Sequence, residues 1–205
     1  MTAIIPEGTV AWGLQLPIQA QSTIFVEPWE ASATTADLVA VAQAADRAGA
    51  LYVGVCEHVA IPKPFDETMG TTWYHPFVTL GFLAAATERV RLLSHVVALP
   101  YHHPLEVAKA FTTLDALSGG RAVCGVGAGH VESEFALLGA DFAGRDYGAD
   151  FLADLPDGVD PCGENGEIHT IAVGGPMFRE IIPVRVGEIL ERDGFAYADI
   201  IPMNR

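Results

Sequence analysis

A pattern repeated four times constrains this chain most: a short apolar run, a loop, then a longer segment whose apolar residues recur at helical spacing. Residues 10–17 (VAWGLQLP) read as the first strand, ended by proline. A polar loop over 18–34 follows, long enough to carry function. Thr34 or Thr35 then caps a helix with Leu38, Val41, Ala42 and Ala45 on one face, closed by Gly49. Residues 51–56 give the second strand. A proline-containing loop over 60–75 leads to a helix from Pro76 through Ala86, and residues 90–99 give the third strand. Pro104 opens the helix that runs to Leu117, residues 122–126 form the fourth strand, and 131–138 begin the fourth helix. Strand–helix units in succession imply parallel strands joined by right-handed crossovers, so the fold class is α/β.

Length and charge narrow the possibilities. A chain of 205 residues can bury a sizeable core in one domain. Its net charge of −15 argues against nucleic acid or an anionic membrane surface as partner, because both require a basic face. A small-molecule substrate fits better. Cys56, Cys124 and Cys162 are odd in number, lie far from any zinc spacing, and read as reduced residues. Neither a signal-peptide pattern nor an apolar stretch of roughly 18 residues is visible, and a cytoplasmic protein is expected.

The segment 112–142 (TTLDALSGGRAVCGVGAGHVESEFALLGADF) is the richest in chemistry. Ser118, Gly119 and Gly120 stop a helix, and the apolar run 122–126 suits a strand covered on both faces. Gly125, Gly127 and Gly129 then leave backbone N–H groups uncovered by side chains, just before a helix whose first turn carries Glu132 and Glu134. Such a corner can hold an anion. It is not a dinucleotide fingerprint, because His130 stands where the third glycine is due, nor a P-loop or a serine-hydrolase elbow.

In a parallel α/β fold ligands gather at the carboxyl ends of strands. Glu57 and His58 end the second strand and form the best acid/base candidate, since a carboxylate can orient a neighbouring imidazole. The alternative is that they cap a loop. His95 lies inside an apolar strand, where a hydrogen-bonded core histidine is the commoner role. His102 and His103 before Pro104 can reach a phosphate or serve as loop residues. Five of the seven histidines fall near strand ends, but none shows the i, i+4 spacing of a zinc enzyme, so no metal is expected. Trp12, Trp29 and Trp73 with Tyr74 could wall a ring-shaped cofactor or simply pack the core.

The segments WGLQLPIQAQS, ADRAGALYVGVCEHVAIP, LAAATERVRLLSHVVALPYHHPLEVAKAFTTLDALSGGR and GVGAGHVESEFALLGADFAGR resemble, in order, the bacterial-luciferase-like monooxygenases, a family of flavin and deazaflavin oxidoreductases with a TIM-type (β/α)8 barrel. The combination of LSGGR, GVGAG and Glu-x-Glu-Phe carries the resemblance, and Glu57–His58 resembles the deazaflavin branch. The resemblance implies catalytic roles for His58 and Glu57 beside the reactive ring. It implies that Ser94, His95 and Val96 form a third-strand bulge supporting the ring, often through a non-proline cis peptide. Gly127, Ala128, Gly129 and His130 would hold the ribityl and phosphate portion, and Gly174 and Gly175 match a later phosphate loop. Coenzyme F-420 (a deazaflavin) or FMN is the implied cofactor, which itself supplies the hydride chemistry.

The match covers residues 10–145 of a single domain, and residues 146–205 read as a divergent, shortened C-terminal part. Within it 168–174 and 198–203 suggest strands and GEILERD (187–193) a helix. A full barrel needs about 200 to 250 residues or more, so five to seven parallel strands in an incomplete or distorted barrel are expected. A homodimer would cover exposed sheet edges and apolar faces. The expected function is hydride transfer or oxygen activation on a small organic substrate. The alternatives are a noncatalytic cofactor-binding remnant and a cofactor-free enzyme on the same scaffold.

Overall fold

The computed structural model describes residues 10–145 and, beyond them, the backbone of four short strands. The strands are β1 (Gly13–Gln15), β2 (Tyr52–Val55), β3 (Arg91–Ser94), β4 (Val97–Ala98), β5 (Ala122–Gly127), β6 (His169–Ala172), β7 (Ile182–Arg185), β8 (Ile189–Arg192) and β9 (Phe195–Ala198). The helices are α1 (Thr35–Arg47), α2 (Asp66–Met69), α3 (Pro76–Ala84), α4 (Pro104–Ser118) and α5 (Glu132–Leu138). In the main sheet β1, β2, β3, β5 and β6 lie side by side in chain order and parallel, with β4 also parallel to β5. This is the parallel strand–helix succession of a TIM-type barrel wall, the α/β class the pattern implies.

Capping chemistry sets the helix boundaries. Thr34 accepts from the Asp37 N–H while the Asp37 carboxylate accepts from the Thr34 N–H, a reciprocal box that starts α1. Pro76 and Pro104 occupy the first positions of α3 and α4, where a missing N–H is harmless. Gly119 ends α4 in the left-handed conformation, at φ 71°.

Strand alternation divides the interior. Val53, Val55 and Leu92 face the layer formed by Leu38 and Ala42 of α1, Leu80 and Leu83 of α3, and Phe111 and Leu114 of α4. Leu93 and Val123 point to the opposite face, where Tyr52 packs on them. With both faces covered, the strands can be apolar throughout.

Two expectations are corrected. The apolar run 90–99 is not one continuous strand, and its break at residues 95–96 is the third-strand bulge that the family resemblance implied. From Leu93 to Val97 it takes one residue step more than β5 takes from Val123 to Val126, so it bulges between β3 and β4. The His95–Val96 peptide inside that bulge is cis. Residues 189–192, expected to be helical, form β8, antiparallel to β9, and β9 begins at Phe195 rather than 198. The linking sequence Asp193–Gly194 favours a two-residue hairpin, a local signal that outweighs the helical spacing of GEILERD. Beyond the expected parallel strands, β7 also joins the sheet, antiparallel to β6. Gly174, Gly175, Cys162 and the loop expected after Arg145 lie outside the described residues.

Candidate functional site

Successive residues of an extended chain point to opposite sides. This separates Glu57 from His58 as the chain leaves β2. The Glu57 side chain turns inward, where its carboxylate accepts from the Ala98 N–H at 2.8 Å and pairs with His102 Nε2 at 2.9 Å. It therefore ties the end of β2 to β4 and the turn after it. His58 turns the other way, and its Nδ1 lies 2.7 Å from Oε2 of Glu134 on α5. The expectation that Glu57 orients its neighbouring imidazole is thus corrected: the carboxylate beside His58 comes from 76 residues downstream.

Glu134 is fully buried and fully engaged. Its Oε1 accepts the Val59 and Ala60 N–H groups at 2.7 and 3.0 Å, and its Oε2 accepts the Tyr101 hydroxyl at 3.1 Å. Burial pushes this carboxyl up. Hydrogen bonds from His58 and Ala60, the attraction of an imidazolium at His58, and the Val59 N–H outweigh that effect and hold it below the ordinary value. Burial, then the Glu134 charge and hydrogen bond, push the Tyr101 phenol far above its usual value, so it stays protonated and donates.

Other side chains complete the cluster. The Trp73 ring stands edge-on to His58 with centroids 4.5 Å apart, and His130 approaches it at 5.5 Å. Trp73 is placed by two laced loops: Gln21 N–H donates to the Thr72 carbonyl, Thr23 N–H to the Thr68 carbonyl, and Tyr74 N–H to the Gln19 carbonyl. Burial and the neighbouring His58 lower the pKa of His130, with Glu134 opposing in part.

The glycine loop joins this cluster. Gly129 has φ +77°, and a Cβ there would meet the Phe135 ring at 2.7 Å and approach the Tyr101 hydroxyl. Among the described residues the N–H groups of Gly129 and His130 donate to no protein acceptor. Gly127 packs under the Val96 side chain, which a Cβ would meet at 2.7 Å, so bulge and glycine loop form one surface. Ser94 is committed to scaffolding: its buried hydroxyl donates to the Gly125 carbonyl and accepts the Gly125 N–H. His95 donates its N–H to the Val55 carbonyl, and burial lowers the pKa of its ring.

The structure thus brings together His58, Val96, Gly127, Gly129 and His130, with Ser94 and His95 supporting the bulge and Ala128 between the two loop glycines. Of the residues weighed as a phosphate site, His102 pairs with Glu57, and His103 caps α4 by accepting the Leu105 N–H. Of the aromatic wall, Trp73 stands at His58. Trp12 lies at the opposite, N-terminal end of β1, its carbonyl bonded to the Leu51 N–H, and Trp29 lies in a 3-10 turn over Pro28–Ser32. Sequence reading missed Glu134 and Tyr101. Glu134 was visible as an acid in a helix first turn and within the Glu-x-Glu-Phe motif, and no local spacing connects it to His58.

The arrangement fits a planar redox cofactor. An apolar bulge and an aromatic edge can wall a ring, the Gly129 and His130 N–H groups, without an acceptor among the described residues, can receive an anionic tail, and an imidazole fixed on one nitrogen can exchange a proton on the other. No cluster of metal-ligating side chains occurs among the described residues, and none of their helices is long and apolar enough to cross a membrane.

A family model described as luciferase-like monooxygenase matches residues 16–149. Over 66 residues the chain is 47% identical to 4-hydroxyprotoasukamycin monooxygenase of Streptomyces nodosus subsp. asukaensis, covering 32% of this chain and 18% of the relative. Over 93 residues it is 36% identical to an F420-dependent hydroxymycolic acid dehydrogenase of Mycobacterium tuberculosis, covering 45% and 25%. These matches therefore span about a quarter or less of the relatives' length. Among solved structures, the FMN-bound oxygenating constituent of 3,6-diketocamphane monooxygenase of Pseudomonas putida shares the fold at TM-score 0.50 and 18% identity, over 64% of this chain and 33% of that one.

Proposed function

The chain belongs to the luciferase-like monooxygenase family, and on that footing we propose an oxidoreductase that acts on a small organic substrate with coenzyme F-420 or FMN. When bound, the cofactor supplies the hydride-transfer or oxygen-activating chemistry. The observation that carries the reading is the His58–Glu134 pair at 2.7 Å, set between Trp73, His130 and the glycine loop. The names of the relatives support both cofactors, one being F420-dependent and another FMN-bound.

Each residue then has a defined task. The Gly129 and His130 N–H groups receive the anionic tail, and Val96 on the bulge backs the ring. Trp73 and Val96 keep water from the ring face, which strengthens every polar interaction inside. His58 holds or accepts the proton on Nε2, the nitrogen turned away from Glu134. Glu57 acts on the scaffold by holding the Ala98 N–H and His102.

Titration with oxidised and reduced F-420 and FMN, followed by fluorescence, tests the proposal: saturable binding of at least one is expected, and no saturable change with any removes it. For His58→Ala the fold is retained and the cofactor-dependent rate falls about 10²–10⁴-fold, the usual worth of a positioned proton-transfer group. An unchanged rate argues against this role. A homodimer belongs to the same proposal because Val78 and Phe82 of α3 and Leu117 of α4 stand exposed. Sedimentation as a monomer at micromolar concentration would remove that part.

A further inference from the structure

Glu134 has an unusual set of neighbours for one side chain. Two backbone N–H groups, which can only donate, meet Oε1, while a phenol and an imidazole nitrogen meet Oε2. An ionised carboxylate can only accept. An unprotonated Nδ1 at 2.7 Å would set its lone pair against an anionic oxygen, so Nδ1 must carry a hydrogen.

We propose that Glu134 is a positioning residue, whose buried carboxylate fixes His58 as the Nδ1–H tautomer and keeps the Nε2 lone pair available as the proton-accepting position. The role deepens the functional reading above and rests on it for its use. The tautomer itself follows from the hydrogen bonds alone. The carboxylate cannot swing away, being fully buried and anchored by the Val59 and Ala60 N–H groups that follow His58 in the chain. One side chain thus fixes both the ring's proton and the backbone that carries the ring. The groups facing His58 are Glu134 from α5, His130 from the glycine loop and Trp73 from the loop after α2, with Tyr101 reaching it through the shared carboxylate oxygen.

The amide isostere shows why a carboxylate is needed. In Glu134→Gln the two backbone N–H groups claim the single amide oxygen, which leaves the NH2 facing His58. Nδ1 must then accept, and the ring proton moves to Nε2. A serine protease shows the same logic: Asn in place of the triad Asp leaves the geometry intact, gives the wrong tautomer and lowers kcat about 10⁴-fold.

The test is nitrogen NMR of histidine-labelled, cofactor-free protein across a pH titration. In the native protein Nδ1 carries the proton when the ring is neutral. In Glu134→Gln the two nitrogens exchange roles, Nδ1 accepting from the amide and Nε2 carrying the proton. Tyr101→Phe, which keeps the carboxylate, retains Nδ1–H. A native ring protonated on Nε2, an unchanged tautomer in Glu134→Gln, or a reversed one in Tyr101→Phe overturns the proposal. If Glu134→Gln does not fold, the native assignment and the Tyr101→Phe variant still decide. No cofactor is needed, so failure of the cofactor titration overturns the functional reading alone, and a wrong tautomer overturns this one alone.

Discussion

At the end of β2 a single step along the chain separates two chemistries. Glu57 is drawn into the scaffold by an N–H and an imidazole, whereas His58 is turned toward Trp73 and His130. The buried acid that matters electrostatically for His58 is Glu134, and its titration has a consequence for stability. Its carboxyl titrates below its ordinary value of 4.5 in the folded state, so the unfolded chain binds this proton more readily. The stability it contributes is complete above about pH 4.5 and is lost as pH falls through the folded-state value. Urea unfolding of native protein and Glu134→Gln from pH 7 to 3 should therefore show the gap between the two narrowing as the solution becomes acidic. Curves that stay parallel would mean that Glu134 is not depressed by its partners. His58 was legible in the sequence because a strand end followed by an acid–imidazole pair is a local signal. Its real partner was not, because a contact across 76 residues leaves no trace in local spacing.

Among the elements, the LSGGR turn is the clearest case of a motif whose meaning is structural. Arg121 donates to the Ser118, Val90 and Ala84 carbonyls and to the Thr87 hydroxyl, which itself donates to the Leu83 carbonyl. One guanidinium thereby satisfies carbonyls in the last turns of α3 and α4, groups a helix cannot pair internally. Asp46 of α1 does the converse, accepting the N–H groups of Glu88, Arg89 and Val90 just ahead of β3. Both devices lie at the N-terminal ends of the strands, opposite His58. Arg121→Ala should cost on the order of 2–4 kcal/mol, because bonds from a charged donor are lost and acceptors are left unpaired. Urea unfolding measures the cost, and cofactor affinity should be unchanged; intact stability, or lost affinity with full stability, would contradict this division. The helices were legible from caps and apolar spacing, Thr34, Pro76, Pro104 and Gly119 all marking true boundaries. The break in the third strand was not visible in its apolar run, since residues on either side are equally apolar. The one-residue excess against β5 shows only once the strands are paired.

Across the whole molecule, parallel strands in chain order bring the ends of β2, β4 and β5 to one side of the sheet, which is how residues near 58, 96 and 130 come to share a site. The repeating strand–helix rhythm made that architecture readable from residue 10 to 145. The antiparallel β7 and the β8–β9 hairpin follow no such rhythm and escaped it, although Asp193–Gly194 was a local signal for the hairpin. The central claim is that a redox ring sits against His58 and the glycine loop. Histidine-ring NMR during titration with F-420 and with FMN tests it directly. The His58 and His130 signals should shift saturably with at least one cofactor, at the same dissociation constant that fluorescence gives. Saturable binding that leaves both rings unmoved, or no binding by either cofactor, would contradict it.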